Sequence, residues 1–318
     1  ASTAELYASM FQRLTGEASL MGTHEYEDDP RNEDVLISVN GELFPRKEAK
    51  VSVFDSGFLL GDGVWESFRL HDGKLVFIEE HLDRLFHGAS EISLDPGRTR
   101  DEIRSEIRRV ISANEMSNHV HLRLIVSRGL KPTPYQAPWV ISSKPTIVII
   151  PEFKKANEKR SIDGIRLVSV DIRRSGPEVQ NPRINSLSKH NCIAACIEAD
   201  KKGGEEGLML DPNGFVSTCN STHFFMVRDG VVWTSTGEYC LDGITRRKVL
   251  EICDSHGIPY TLGNFTFEDV HLADEAFVTG TFAGLTPVIS FDGTMIGQGS
   301  RGRICERIQQ LYQELVMR

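Results

Sequence analysis

No apolar run in the 318 residues approaches the ~18 that a membrane-crossing helix needs, so a helical transmembrane span is excluded. No basic start followed by an apolar stretch opens the chain, and a secretory leader is therefore not expected. An excess of positive charge is missing as well. The formal charge is -9 with no large basic patch, which argues against a nucleic-acid partner because a polyanion is repelled. Cysteine is sparse: Cys192, Cys196, Cys219, Cys240, Cys253 and Cys305 form no CxxC pair and no His-rich cluster. They read as reduced thiols of a cytoplasmic protein, with neither disulfides nor a metal site expected. Cys192 and Cys196, one helical turn apart, read as packing residues. Internal repeats and low-complexity segments are also absent.

What remains is an ordinary folded composition, 40% hydrophobic and 25% charged, in a chain long enough for two domains of the usual ~100 to 200 residues. Residues 1–34 read as an extension. In it Leu6, Met10, Phe11 and Leu14 share a helical face after a Ser2/Thr3 cap, and EYEDDPRNED reads as a polar, exposed loop. Residues 35–151 read as a small α+β domain. Strands alternate around Asn40-Gly41, the strongest short hairpin signal, and two segments, Phe77 to Ile92 and Thr99 to Glu115, show helical spacing. Residues 152–163 carry charge without apolar period and read as a linker. Residues 164–318 read as a larger domain, with a helix from about Ser188 to Lys202, short strands turning at Asn213-Gly214, Asp229-Gly230 and Asp292-Gly293, a helix opened by Gly243-Ile244-Thr245, and a closing helix from Arg301.

Three features of that domain carry chemistry. A helix N-terminus offers unpaired N–H groups and the positive end of a dipole, so Gly243-Ile244-Thr245 suits a phosphate, and Gly280-Thr281 offers a second hydroxyl and amide. Arg84 in the helix HLDRLF adds bidentate charge. Lys189, between Ser188 and His190-Asn191, becomes a Schiff-base nucleophile if burial and cationic neighbours lower its pKa. Taken singly, each is more often an ordinary capped helix, a solvated Arg or a surface Lys.

Together, in the order EGLMLDPNGFV, STCNSTHFFMVRDGVVWTS, LDGITRRKVLEI, LADEAFVTGTFAGLTPV and DGTMIGQG, and with GDGVWESFR, HLDRL and SRG before them, the motifs resemble the class IV aminotransferases. This family includes branched-chain and D-amino-acid aminotransferases and aminodeoxychorismate lyase. The resemblance covers about Val35 to Val316 and implies a two-domain fold-type-IV architecture of mixed α+β and α/β character, pyridoxal 5′-phosphate as cofactor, and a homodimer acting on a small amino donor and an oxo-acid acceptor. It implies a cofactor site of Arg84, Lys189, Thr218, Asn220, Gly243, Ile244, Thr245, Gly280 and Thr281. It also implies a substrate wall drawn from Glu66, Arg69, Arg128, Lys131 and Tyr135, with Trp65, Phe58 and Trp139 shaping an apolar pocket.

Two departures stand out. Counting back from EGLMLD places Asn185 where the family has its Lys, and Lys189 near the family's Tyr, so Lys189 is expected to reach the cofactor from a shifted attachment point. Thr218 stands where the family commonly has a Glu that pairs with the pyridine nitrogen; its hydroxyl can hydrogen-bond there but brings no charge. An aminotransferase is the leading reading, and a lyase of the aminodeoxychorismate type and a non-catalytic cofactor binder stay open.

Overall fold

A computed structural model describes Thr23 and residues 28–317, and the helix expected around Leu6 lies outside these residues. Two sheets organise the chain. The first has six strands, β1 (Leu36–Val39), β2 (Glu42–Pro45), β3 (Gly63–His71), β4 (Lys74–Leu75), β5 (Val120–Ser127) and β6 (Thr146–Phe153), in the order β2-β1-β6-β5-β3-β4, every pairing antiparallel. The hairpin turn between β1 and β2 is set by Asn40 (φ 55°) and Gly41 (φ 90°), a left-handed pair that matches the twist of the flanking strands. The same solution recurs at Asp72-Gly73, Asp229-Gly230 and Asp292-Gly293.

Between the strands of this sheet come helices α1 (Ser56–Leu60), α2 (Ile78–Glu91) and α3 (Arg100–Ala113). Helix α3 starts at a reciprocal capping box, Thr99 with Glu102. Strand period decides what each face of the sheet does. Val64, Phe68 and Leu70 of β3, with Leu122, Leu124 and Val126 of β5, pack against Leu82, Leu85, Ile103 and Ile107 of the helices. The alternate residues, Trp65, Ser67 and Arg123 among them, are left on the opposite face.

The second sheet comprises β7 (Ile165–Ser169), β8 (Glu206–Leu210), β9 (Val216–Cys219), β10 (His223–Arg228), β11 (Val231–Thr234), β12 (Tyr260–Leu262), β13 (Glu275–Gly280), β14 (Gly284–Phe291) and β15 (Thr294–Met295). The path runs β12-β11-β10-β13-β14-β7-β8-β9, with β15 on β14, and mixes parallel and antiparallel pairs. Its helices are α4 (Arg160–Asp163), α5 (His190–Lys201), α6 (Ile244–Ser255), α7 (Phe267–His271) and α8 (Arg303–Met317). One apolar cluster joins α6 and α8 to the sheet through Val249, Ile252, Cys253, Ile308 and Tyr312.

Three local features add detail to the sequence reading. Residues 30–33 form a 3-10 turn rather than an exposed loop: Asn32 is buried and exchanges two hydrogen bonds with the Phe153 backbone. The charged stretch before β7 contains α4, anchored where Arg160 pairs with buried Glu205. Helix α5 begins at His190, because Asn185 to Leu187 runs extended along β3, with Trp65 N–H donating to Asn185 O at 2.9 Å and Leu187 N–H to Gly63 O at 3.0 Å.

Candidate active site

A cavity of about 720 Å³ is lined by residues of both sheets. One wall is the helix-free face of the first sheet. Register sets Ser67 beside Arg123 and Arg123 beside Ile150, with His121 beside Glu152 in the next row, and all five line the cavity together with Trp65. The other walls come from the start of α5, the turn between β9 and β10, the approach to α6 and the end of β13.

Lys189 sits at the N-cap of α5 without making a cap bond, and its chain folds back over the extended segment. Its Nζ donates to Asn185 Oδ1 at 3.0 Å and lies 5.2 Å from the centre of the Trp65 ring. Burial pushes its pKa from 10.5 down to about 8; Arg174 and Arg84 push the same way, against Cys192 and Glu66. The neutral amine that nucleophilic attack requires is therefore reached near pH 8 rather than above 10.

Helix α6 presents its N-terminus to the cavity. Gly243 is the N-cap with no side-chain cap bond, and Gly243, Ile244 and Thr245 all line the space. Across from it, Gly280 and Thr281 line the cavity, and the fully buried hydroxyl of Thr279 has no partner among the described residues. His223 holds the approach to α6. Its ring bonds Leu241 O at 2.7 Å, which places the proton on Nε2, and burial drives its pKa from 6.5 to about 4. A Cβ on Gly243 would stand 2.3 Å from that ring, so this position tolerates glycine alone without movement.

Arg84 reaches the cavity from α2 and is fixed on two sides. It donates twice to Glu66, at 2.7 Å each, and once to Asp242 O at 2.7 Å, which ties α2 to the approach of α6. His81 bonds the same carboxylate at 2.6 Å. Burial alone would raise the Glu66 pKa, but the Arg84 charge and the bonds from His81 and Arg84 outweigh it and hold the group at about 2.

The residues expected at a substrate wall do not line this cavity. Glu66 is completely buried on the helix-facing side of β3, where strand period puts it, and serves Arg84. Arg69 shares the face of Ser67 but does not line the cavity. Arg128 forms an ion pair with Asp62 and donates to Ile92 O and Ser93 O. Lys131 is 2% exposed and turns inward to Ala137 O and Val140 O, closing its own loop. Tyr135 is exposed, as are Phe58 and Trp139; of the three expected apolar residues only Trp65 lines the cavity. Thr218 and Asn220 do line it, yet Thr218 Oγ1 donates to Thr222 O at 2.7 Å and Asn220 Oδ1 accepts from Gly207 N–H at 2.7 Å, so both also brace the turn. Cys192 and Cys196 line the cavity instead of packing in the core.

Sequence reasoning missed Arg123. Burial lowers its pKa, and its guanidinium carbon lies over the Trp65 ring, 4.0 Å from the ring centre, with no side-chain hydrogen bond among the described residues. Its signal was the alternation of HVHLRL, which puts His121 and Arg123 opposite Leu122 and Leu124. Arg84, Arg123, Lys154, Arg174 and Lys189 face the cavity against Glu152, Glu205 and Glu206, a cationic balance inside a chain of net charge -9.

The family pattern described as Amino-transferase class IV matches residues 63–291. The chain belongs to the class IV aminotransferases. Among related class IV proteins, branched-chain-amino-acid aminotransferase-like protein 1 of Arabidopsis thaliana is 36% identical over 90% of this chain, which spans only 51% of that relative. The branched-chain-amino-acid aminotransferase of Pseudomonas aeruginosa is 32% identical over 89% of this chain and 93% of its own length. The two-sheet fold is that of the Escherichia coli branched-chain amino acid aminotransferase, at a TM-score of 0.82 and 27% identity over 89% of this chain and 95% of that one. Another class IV aminotransferase of the branched-chain type, solved with pyridoxamine 5′-phosphate, superposes at a TM-score of 0.83.

Proposed function

We propose that this chain is a pyridoxal-phosphate-dependent aminotransferase that moves an amino group between an amino acid and a 2-oxo acid. The observation that carries the reading is the Lys189 amine, with its pKa lowered to about 8, held at Asn185 inside a cavity that also receives the uncapped N-terminus of α6. The residues present fit the cofactor. An uncapped helix N-terminus, an orphaned buried hydroxyl at Thr279 and the cation of Arg84 suit a phosphate, and Lys189 suits an aldehyde. Gly243, Ile244, Thr245, Gly280, Thr281 and Arg84 would hold the phosphate, with Thr218 and Asn220 bracing the turn beside the ring. When bound, pyridoxal phosphate supplies a carbonyl carbon that takes up and gives back the amino group, and a ring that spreads carbanion charge.

The chain's own residues then divide the work. Lys189 would hold the cofactor, and its amine, when free, would be the base that takes and returns the proton at the substrate carbon. Arg123, which lines the cavity and makes no side-chain hydrogen bond among the described residues, binds a carboxylate of the amino or oxo acid. Trp65 and Ile150 beside it suit an aliphatic side chain, in keeping with the branched-chain names of the relatives.

The enzyme works as a homodimer in the reducing cytoplasm. The six cysteines are unpaired. Val53, Phe58, Tyr135 and Trp139 are exposed on two segments joined by the Lys131 N–H to Phe54 O bond at 2.9 Å, an apolar face that suits a second copy. Borohydride reduction of the protein with pyridoxal phosphate, followed by peptide mapping, tests the reading. A pyridoxyl group on Lys189, lost in Lys189→Ala, is expected; bound cofactor with no label on Lys189 overturns it.

A further inference from the structure

Lys189 has its backbone at the start of α5, but its amine works four residues back in sequence, against Asn185. Asn185 is a rigid post for it. The residue is 5% exposed, and its backbone carbonyl is taken by Trp65 N–H at 2.9 Å. The next residue, Ser186, bridges to Val64 and accepts from the Trp65 indole N–H at 3.1 Å. The side-chain carbonyl of Asn185 accepts from Lys189 Nζ, which leaves the amide nitrogen of this cavity-lining residue with no hydrogen bond among the described residues.

An amide carbonyl at this point does two things that other side chains do not. It accepts an N–H from the amine in either protonation state, so the lone pair of the neutral amine is turned away from Asn185 and toward the cavity. Being uncharged, it orients the amine while stabilising the ammonium form far less than a carboxylate would. The charged and titratable groups around the amine are Cys192 from α5, Arg174 from the segment after β7, Arg84 from α2 and Glu66 from β3. None of these makes a hydrogen bond to the amine among the described residues, and Asn185 alone fixes its direction.

We propose that Asn185 is a positioning residue that aims the lone pair of the Lys189 amine at an aldehyde carbon in the cavity without adding a charge that would hold the amine protonated, while its free amide N–H group donates to an oxygen of the same ligand. This rests on the reading of Lys189 as the attaching lysine. In the attachment the Lys189 nitrogen bonds to the aldehyde carbon, and the aldehyde oxygen leaves as water with the two protons of the neutral amine.

The test uses the full chain stripped of cofactor and mixed with pyridoxal 5′-phosphate. Growth of visible absorbance is followed from neutral to alkaline pH for wild type, Asn185→Ala and Asn185→Asp, and borohydride-trapped peptides locate the label. Asn185→Ala is expected to slow attachment about tenfold at a given pH, the loss of one orienting hydrogen bond, with the label still on Lys189. Asn185→Asp is expected to move the pH midpoint of attachment upward by about one unit, since a carboxylate favours the ammonium form. A purely structural Asn185 would not move that midpoint. If both variants label Lys189 at the wild-type rate and midpoint, the positioning role is overturned while the attaching lysine stands. If wild type itself carries no label on Lys189, both fall. Should Asn185→Ala fail to fold, the isosteric Asn185→Asp decides the matter through its midpoint alone.

Discussion

Replacing Lys189 by Met is expected to stabilise the cofactor-free protein while abolishing covalent cofactor attachment. The amine titrates at 10.5 when unperturbed and at about 8 in the folded chain, so burial of its charge opposes folding. At ~1.4 kcal/mol per pH unit, the difference corresponds to about 3 kcal/mol for a fully enclosed group. Lys189 is half-buried beside an open cavity, and solvent screening brings this nearer 2 kcal/mol. Loss of the Asn185 bond returns up to about 1 kcal/mol, which leaves a net gain of roughly 1 kcal/mol, or about 1 to 2 °C in Tm for a chain of 318 residues. The sign reverses the usual lysine case. Between about pH 8 and 10.5 the unfolded chain binds the proton that the folded chain has released, so wild-type stability rises with pH across that window, whereas the Lys189→Met variant has no such dependence. Thermal unfolding of both proteins at about pH 7 and again near pH 10 reads the effect, since every other titration is common to the two. The Tm advantage of Lys189→Met should be full at the lower pH and vanish or reverse at the higher one, where only the lost Asn185 bond remains. An advantage that does not change with pH, or a variant less stable at both, would refute the account of a buried, charge-penalised amine.

The acid side offers the mirror test. His223, held neutral with a pKa near 4 against 6.5 unperturbed, makes wild-type stability fall as pH drops through that interval, and His223→Asn should flatten the fall in an acid unfolding series. Gly243→Ala drives a methyl into the His223 ring, 2.3 Å from its Cε1, and the shift needed at the head of α6 should weaken pyridoxal phosphate binding at least about tenfold in an equilibrium titration, consistent with overpacking costs of ~1–3 kcal/mol. Arg123→Ala should raise KM for a carboxylate-bearing oxo acid by about ten- to a hundredfold, the loss of a charge-assisted contact, with the Lys189 label unaffected. Trp139→Glu, at a side chain 81% exposed on the apolar face, should convert a dimer to a monomer in light scattering behind size exclusion; a dimer that persists would remove this face from the assembly.

Much of this molecule is written locally. Asn40-Gly41, Asp72-Gly73, Asp229-Gly230 and Asp292-Gly293 set their turns because those residues tolerate left-handed backbone, and the apolar spacing of Phe77 to Ile92 and Thr99 to Glu115 foretells α2 and α3 to within two residues. The ordered motifs of the second half likewise announce the family and the α6 N-terminus, since both are properties of short contiguous stretches. What the tertiary structure decided depends on groups far apart in sequence. Arg84 is aimed by Asp242 O, 158 residues away, and Glu66 is claimed by Arg84 and His81 once strand period turns it to the helices. Arg128 and Lys131 look like substrate cations in sequence, but buried carbonyls and Asp62 satisfy them, because a cation next to unpaired carbonyls is drawn inward. Arg123, an unremarked member of an alternating strand, lines the cavity with no side-chain hydrogen bond among the described residues. Sequence counting separates Lys189 from the family's lysine position by four residues, and only the bend between an extended strand edge and the start of α5 closes that gap, setting its amine 3.0 Å from the Asn185 carbonyl.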